Sequence, residues 1–495
     1  METSSEFTPG NDFSVLDKED SNKNDISKTR VRYYMLFLAC FLCFGNYFIY
    51  DNPSALQTQL EDDLDISSFE FGMLYSIYSF PNVILPFFGG YLVDMMGVRI
   101  GIFIFSLFVT AGQAIFAFGV SIKSYPVALL GRGIFGCGGE SQNVAQSAIV
   151  SNWFSGKELS MALGMNVSIS RLGSVLNDVL EPALFEATGS VILGLWVGFG
   201  LCVASLVCGV FLGAIDKKRD RILGIQDKKL LPDSEKVKLS DIKTFGFSLW
   251  MVCVNCFVVY IDVSCFNNIA SNYYQTRFDY STQESGLIIS ITYAVAAILC
   301  PIFGKLVDKI GRRVILIMFS ACCVTLVHVL FLVTPDSHKP VYPIFYMILL
   351  GLGYSIYASV MWASIPYLVE PKTIGTAFGV ATSIQNLGLG VGPLIVGYIK
   401  GSTKKEDGYY WVTFFFVMMG LVGIGSAISI YINDMRTGGV LNSHDPRQAR
   451  ENCILSTPQL KKKVDEDLPE NVKKWLSSPT SQKALRQSLV KQQHF

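Results

Sequence analysis

Residues 90–99 read Gly90-Tyr91-Leu92-Val93-Asp94-Met95-Met96-Gly97-Val98-Arg99, and residues 304–313 read Gly304-Lys305-Leu306-Val307-Asp308-Lys309-Ile310-Gly311-Arg312-Arg313. Both spell Gly-x-x-x-Asp-x-x-Gly-x-Arg, with first glycines 214 positions apart (304 − 90). Farther along the offset is 215: Gly136 and Gly138 match Gly351 and Gly353, Lys157 matches Lys372, and Gly164 matches Gly379. Ser168-Ile169 likewise matches Ser383-Ile384, and Leu172-Gly173 matches Leu387-Gly388. One copy could be a tight turn with solvated charges. A near-constant offset through several segments marks a duplicated unit.

The surroundings of both copies are apolar. Hydrophobic residues make up 51% of the 495 and charged residues only 16%, against about 25% charged in a typical soluble protein. Forty Lys+Arg balance forty Asp+Glu, so no net charge points to nucleic acid, and no basic groove with interleaved aromatics is visible. A bilayer-spanning helix takes about 20 largely apolar residues, because every backbone amide must be satisfied within it. Such runs begin near Tyr33, Phe71, Ile100, Tyr125, Leu159, Val191, Phe247, Glu284, Val314, Val341, Thr373 and Tyr409. The expectation is an all-α membrane protein, twelve transmembrane helices in two pseudosymmetric six-helix bundles at 33–215 and 247–432. Residues 1–32, 216–246 and 433–495 are then a polar tail, a linker and a second polar tail. No signal peptide is expected at the acidic start.

Loop charges set the expected orientation. Lys28, Arg30 and Arg32 precede the first run, and Asp216 to Gly246 carries nine Lys/Arg. The first inter-helix loop holds Glu61, Asp62, Asp63, Asp65 and Glu70 with no Lys or Arg. Both termini and the linker are therefore expected in the cytosol, bordering membrane lipids. Lys400, Lys404 and Lys405 in the last outer loop run against this rule. Lys236 to Phe247 alternates apolar and charged residues, as an interfacial helix does.

The twelve cysteines give no disulfide framework: eleven lie in apolar runs and Cys453 in the tail. Cys40-x-x-Cys43 and Cys253-x-x-Cys256 lack a His partner, so no metal or other cofactor is expected. The four histidines form no catalytic set, and an enzyme is not expected.

The repeated turn has a mechanical reading. Its glycines let the chain turn tightly and helices approach, and its Asp lies near a helix end and basic residues. A contact of that kind closes one face and breaks when the halves rock. Within the apolar runs, ionisable residues are functional candidates. Arg132, Gly136, Glu140, Asn143 and Ser147 share one face of the fourth run, and Ser168, Arg171, Ser174 and Asp178 share one face of the fifth. Glu140 and Arg171 both fall near mid-bilayer. Either they form a buried salt bridge, or they receive the ammonium and carboxylate of a zwitterion, the latter through the planar guanidinium fork. Two extended residues span at most about 7 Å, a dipeptide's reach, although charge alone fits a free amino acid equally.

The turn pattern, with Arg132-x-x-x-Gly136-x-Gly138, resembles the major facilitator superfamily. There Gly90, Asp94, Gly97, Arg99, Gly304, Asp308, Gly311, Arg312, Arg313 and Arg132 belong to conformational motifs; Met95 stands where a basic residue is usual. Tyr50-Asp51-Asn52-Pro53-Ser54-Ala55-Leu56-Gln57-Thr58-Gln59, Tyr78-Ser79-Phe80-Pro81-Asn82-Val83, Gly138-Gly139-Glu140-Ser141, Trp153-Phe154-x-Gly156-Lys157-Glu158-Leu159 and Ser383-Ile384-Gln385-Asn386-Leu387-Gly388 resemble more narrowly the major facilitator superfamily domain-containing protein 1 family, over roughly Tyr33 to Arg436. That resemblance implies a lysosomal dipeptide exporter working by facilitated diffusion with a heavily glycosylated single-span accessory subunit. It places peptide-terminus contacts on Glu140 and Arg171 and an aromatic pocket wall on Trp362, which is otherwise ordinary helix packing. The first run lacks the Glu-x-x-Glu-Arg of proton-coupled peptide symporters, which fits uniport. The one sequon, Asn166-Val167-Ser168, lies inside a run and leaves the outer loops unglycosylated. Asp262 falls outside the family pattern and is either a lumen-facing polar residue or a tuner of side-chain preference. Asp178 and Glu181 either line a wet vestibule or attract cationic substrates. Asp227-Lys228-Lys229-Leu230-Leu231 is the nearest string to a sorting signal. Competing expectations are a carrier for another solute (amino acid, organic anion or sugar) and a non-transporting receptor or scaffold.

Overall fold

A computed structural model describes residues 29–85, 97–154, 157–223, 242–243, 245–369, 373–403 and 408–443. The first half comprises α1 (Val31–Ala55), the short α2 (Gln57–Leu64), α3 (Ser68–Ser79), α4 (Val98–Ser121), α5 (Tyr125–Trp153), α6 (Lys157–Thr188) and α7 (Val191–Leu223). The second comprises α8 (Phe247–Tyr260), a π-helical turn (Ile261–Cys265), α9 (Phe266–Phe278), α10 (Thr282–Ile310), α11 (Arg313–Val333), α12 (Tyr342–Leu368), α13 (Ile374–Ser402) and α14 (Gly408–Arg436). Nine helical segments among the described residues are long and apolar enough to cross a membrane. α5 and α6, which carry Glu140 and Arg171, are not in that set.

The long helices begin within about three residues of the apolar runs, and local chemistry says why. Asp65 and Asp279 take left-handed backbone at φ 51° and 53°, a conformation Asp tolerates better than most residues. Two residues after each stands a serine, Ser67 or Ser281, whose hydroxyl accepts from the backbone N–H of Glu70 or Glu284 while that glutamate accepts from the serine N–H. These capping boxes satisfy the orphan donors opening α3 and α10. Their serines are again 214 apart (281 − 67), as are Gly97 at φ 83° and Gly311 at φ 67°. Tyr125-Pro126 and Tyr342-Pro343 open α5 and α12, proline costing nothing where no helical donor is needed.

Two of the long runs are interrupted. Pro53 lies inside α1, which ends at Ala55 before the chain restarts as α2. The seventh run passes through the π turn, which places one extra residue in the helix at Asp262.

Packing repeats with the sequence. In the first half α1 packs on α6 and α7, and α4 on α5 and α7; in the second α8 packs on α13 and α14, and α11 on α12 and α14. The halves meet along α6 with α10 and along α3 with α13. Large apolar side chains such as Phe108, Phe211, Ile298, Phe345 and Leu421 face outward, as a lipid-solvated surface requires.

Outside the central site, hydrogen bonds between the halves gather at the end bearing the acidic first loop. Asn272 Nδ2 donates to Thr58 Oγ1 at 2.8 Å, Gln59 Nε2 to Thr282 Oγ1 at 2.8 Å, and Ser271 Oγ to the Ala55 carbonyl at 3.1 Å. Lys400 lies 3.7 Å from Glu61 and donates to Asn272 Oδ1 at 2.8 Å. One of the lysines that break the loop-charge rule is thus engaged by a carboxylate of the opposite half. Glycines let the helices touch: a Cβ at Gly72 would lie 2.5 Å from the Pro393 carbonyl oxygen, and one at Gly397 would lie 2.5 Å from that of Ser68.

Gly90, Asp94 and most of the stretch from Lys236 to Phe247 lie outside the described residues, as does the Asp308 side chain. Arg99 reaches within its own half, with Nε 2.7 Å from Asp216 Oδ2 and Nη2 bonded to Asp220. Asp216 also accepts from Trp153 Nε1 at 2.7 Å. Gly304 has open space around it. Arg312 is left-handed at φ 49°, and the buried Arg313 guanidinium lies 4.8 Å from the Tyr367 ring centroid.

Candidate functional site

Arg132 and Pro53 form one structural unit. The carbonyl of Ile49 should bond the N–H four residues on, but that residue is Pro53, which has none. Arg132 Nη1 fills the place, donating to the Ile49 carbonyl at 3.0 Å, while Nη2 reaches the Tyr50 carbonyl and Nε the Leu74 carbonyl, each at 3.2 Å. The guanidinium is wholly buried among the rings of Tyr50, Tyr75, Tyr78, Phe116 and Phe135, with centroids 5.1–5.8 Å away. Arg132 therefore clamps α5 to α1 and α3.

That clamp positions Glu140 two turns farther along α5. A Cβ at Gly136 would sit 2.3 Å from the Tyr78 carbonyl oxygen, so only glycine admits α3 here. Asn46 Nδ2 donates to the Gly139 carbonyl at 3.0 Å and ties α1 alongside. The Glu140 side chain is half-buried. Asn143, one turn on, and Arg171 are the polar groups acting on its carboxylate.

Arg171 projects from α6 into a cage of tyrosines. Its guanidinium carbon lies 5.0 Å from the Tyr47 ring centroid, 5.2 Å from that of Tyr354 and 5.7 Å from that of Tyr293. Its Nη2 donates to the Tyr354 hydroxyl. Tyr47 comes from α1, whereas Tyr293 and Tyr354 come from α10 and α12, so the cation stands between the halves. Among the described residues no ion pair joins Glu140 to Arg171, and the salt-bridge alternative is not what the structure contains. The two charges are neighbours, each partly open and neither neutralised by direct contact.

Trp362 lies one link away. Its Nε1 donates to the Tyr260 hydroxyl at 3.1 Å, and the Tyr260 ring meets that of Tyr354 edge-on at 6.3 Å. The indole stacks on Phe378 at 6.2 Å and 12°. Aromatic contacts thus run from Arg171 through Tyr354 and Tyr260 to Trp362.

Three expectations are corrected. Asp178 and Glu181 line no wet vestibule; they are 1% and 0% exposed. Glu181 Oε1 accepts from Asn52 Nδ2 at 2.9 Å, and Asn52 in turn meets Asn177 and Gln113. Asp262 does not face the lumen: it is wholly buried in the π turn, where its backbone carbonyl meets His328 Nε2 at 3.1 Å.

The sequence reading missed the four tyrosines and Asp51. Asp51 is buried beside the hydroxyls of Ser174 and Tyr293 and within electrostatic range of Arg171 and Arg132. Tyr47, Asp51 and Ser54 share one face of α1 by helical spacing, the signal that could have revealed part of the set. Tyr260, Tyr293 and Tyr354 carry no such signal, because tyrosine is common in apolar spans.

Two halves related by a repeat, packed along α3–α13 and α6–α10 with an ionic aromatic site between them, define an alternating-access carrier architecture. The sequence profile of the Major Facilitator Superfamily matches residues 36–393. The chain belongs to that superfamily. It is 37% identical to the human (Homo sapiens) lysosomal dipeptide transporter MFSD1 over 437 residues, covering 86% of this chain and 91% of the relative. It is 33% identical to the Gallus gallus protein of the same name, covering 84% and 89%. Among solved structures it resembles a mutant of the nucleoside transporter NupG, at TM-score 0.63 and 13% identity over 80% of this chain and all of that one. It also resembles a mutant of the peptide transporter POT, at TM-score 0.61 and 16% identity, covering 80% and 94%. These two likenesses concern the fold alone.

Proposed function

We propose that this chain is a multi-pass lysosomal carrier that exports dipeptides from lumen to cytosol by alternating access, as a uniporter. Counting α1–α2 and α8–α9 once each, the reading takes twelve spans, and the loop charges argue for both tails and the linker in the cytosol and the acidic first loop in the lumen. The state described then has its lumenal end drawn together. The observation that carries the reading is that the Glu140 carboxylate and the Arg171 guanidinium lie near each other at the boundary of the halves with no ion pair between them, Arg171 being held instead by the Tyr354 hydroxyl. Glu140 takes the substrate ammonium, the Arg171 fork takes the carboxylate, and Trp362 walls the pocket through Tyr260. The turns between the second and third spans of each half, Gly90-to-Arg99 and Gly304-to-Arg313, serve the rocking. A glycosylated single-span accessory subunit completes the lumenal face, whose own loops lack sequons.

The support is the similarity to curated dipeptide transporters together with two opposite charges within electrostatic reach of each other and not joined in an ion pair. The test is a thermal-shift binding panel on purified protein with free dipeptides, dipeptides blocked at either end, amino acids, organic anions and sugars. Free dipeptides are expected to stabilise and either block to abolish the shift. Glu140→Gln and Arg171→Ala are expected to remove the response while the unliganded melting temperature stays close to wild type. A normal response in both variants would sink the reading.

A further inference from the structure

The seam where α3 meets α13 joins the halves at one end of the molecule; at the other end the second half is tied by its own chain. α14 closes at Arg436, and Gly438 and Gly439, at φ 101° and 69°, turn the chain back. The returning segment meets the carboxylate of Asp434, which accepts from the Leu441 N–H at 2.9 Å, the Asn442 N–H at 3.2 Å and Asn442 Nδ2 at 3.1 Å. The same two residues then reach α11. The Leu441 carbonyl accepts from the Arg313 N–H, and Asn442 Oδ1 from the Val314 N–H, each at 3.2 Å. Those are the first two donors of α11, which no residue within that helix can satisfy. Leu441 itself is 1% exposed and belongs to the apolar core of the second half.

The first half is tied differently. Arg99, Trp153 and Asp220 correspond to Arg313, Tyr367 and Asp434 at one offset of 214 (313 − 99, 367 − 153, 434 − 220). There Arg99 binds Asp216 and Asp220 directly, and Trp153 donates to Asp216. In the second half Ile430 stands in the place of Asp216, and among the described residues no ion pair joins Asp434 to Arg313. The chain from Thr437 to Asn442 lies between α14 and α11 instead.

We propose that Thr437 to Asn442 is a strap, the second half's substitute for the arginine–aspartate pair of the first. It fixes α11 to α14 beside the Gly304-to-Arg313 turn, so the two helices move as one body when the halves rock, and the root of the C-terminal tail governs the rate. Its five hydrogen bonds share one short segment anchored in the core by Leu441, and they form and break together. Arg99 and Asp220, each with 25% of its side chain exposed, meet partly in solvent. Releasing the strap would strand a carboxylate that is 3% exposed together with two helix donors, the costly outcome for buried polar groups. The rocking belongs to the proposed function; the strap itself does not depend on it.

Hydrogen exchange reads local opening of this kind. The Arg313 and Val314 amides report on the strap, and the Val98 and Arg99 amides that open α4 serve as the internal control. Truncation after Ser443 keeps the strap whole and is expected to leave all four unchanged. Truncation after Arg436 is expected to speed exchange at Arg313 and Val314 at least tenfold, with Val98 and Arg99 unchanged. Asn442→Ala deletes only the side chain; it is expected to speed Val314 at least threefold, and it keeps the test available if the shorter chain does not fold. In proteoliposomes the chain truncated after Arg436 is expected to exchange dipeptide at least fivefold more slowly with affinity changed less than twofold, and the chain ending at Ser443 to match wild type. Equal protection of Val314 in wild type and Asn442→Ala, or loss of protection on removing residues 444–495 alone, would overturn the inference. So would full-rate exchange by a chain whose α11 amides have lost protection. The amide measurements need no substrate, so a wrong substrate assignment shows separately, as absent dipeptide exchange in wild type with the amide pattern intact.

Discussion

Arg132 and Pro53 lie far apart in the chain yet share one carbonyl, which allows a double-mutant cycle with a definite sign. Replacing Arg132 with Met keeps much of the side-chain length among its five rings but removes every donor. The Tyr50 and Leu74 carbonyls sit where helical donors, the N–H groups of Ser54 and Tyr78, follow four residues on. The Ile49 carbonyl has no such donor because of Pro53 and is stranded in the interior, at a cost of about 1–3 kcal/mol. Lost charge-assisted bonds add to this, and relief from burying a cation subtracts, so a net loss of about 2–4 kcal/mol is expected. Pro53→Ala returns an N–H to the position that needs one. In the Arg132→Met background it should recover about 1–2 kcal/mol, within the range of coupling between residues sharing a partner. At about 2 °C per kcal/mol, the double variant should melt some 2–4 °C above the value obtained by adding the two single shifts. The assay is the melting temperature of the four purified proteins in one detergent at one scan rate. Strict additivity would show that the Ile49 carbonyl is not what Arg132 satisfies, and the account of the clamp would fall.

Two other perturbations read the gate and the anchor. Gly72→Ala or Gly397→Ala puts a Cβ about 2.5 Å from a backbone oxygen of the opposite half, and overpacking of this kind costs about 1–3 kcal/mol. The seam-closed population should fall by about fivefold or more, measured by labelling of a cysteine placed on the seam; unchanged accessibility would refute the contact. Tyr354→Phe removes the hydroxyl that Arg171 now holds and leaves the ring, so a substrate carboxylate loses a competitor and dipeptide affinity should tighten by up to about tenfold. A weaker dissociation constant, measured calorimetrically, would mean that Tyr354 itself contacts substrate.

The duplication was legible because it is written locally and twice. Glycines, a serine three residues before a glutamate, and Tyr-Pro pairs recur at almost one offset, and each acts on its own helix end. The apolar runs were legible because a lipid-solvated helix must declare itself along its whole length. Glu140 and Arg171 stood out for the same reason, as charges where charge is costly. Their neighbours did not. Tyr354 meets Arg171 across 183 residues, and whether a tyrosine faces lipid, core or ligand depends on how two bundles are rotated against each other. Asp178, Glu181 and Asp262 read as wet because carboxylates usually are; interhelical packing buries them instead. A repeated, membrane-spanning helical chain and its two central charges follow from short-range pattern and solvent, and so can be read along the chain. Which carbonyl Arg132 serves, that the two charges form no ion pair, and where the halves touch emerge only on folding, because each depends on side chains brought together from distant parts of the chain.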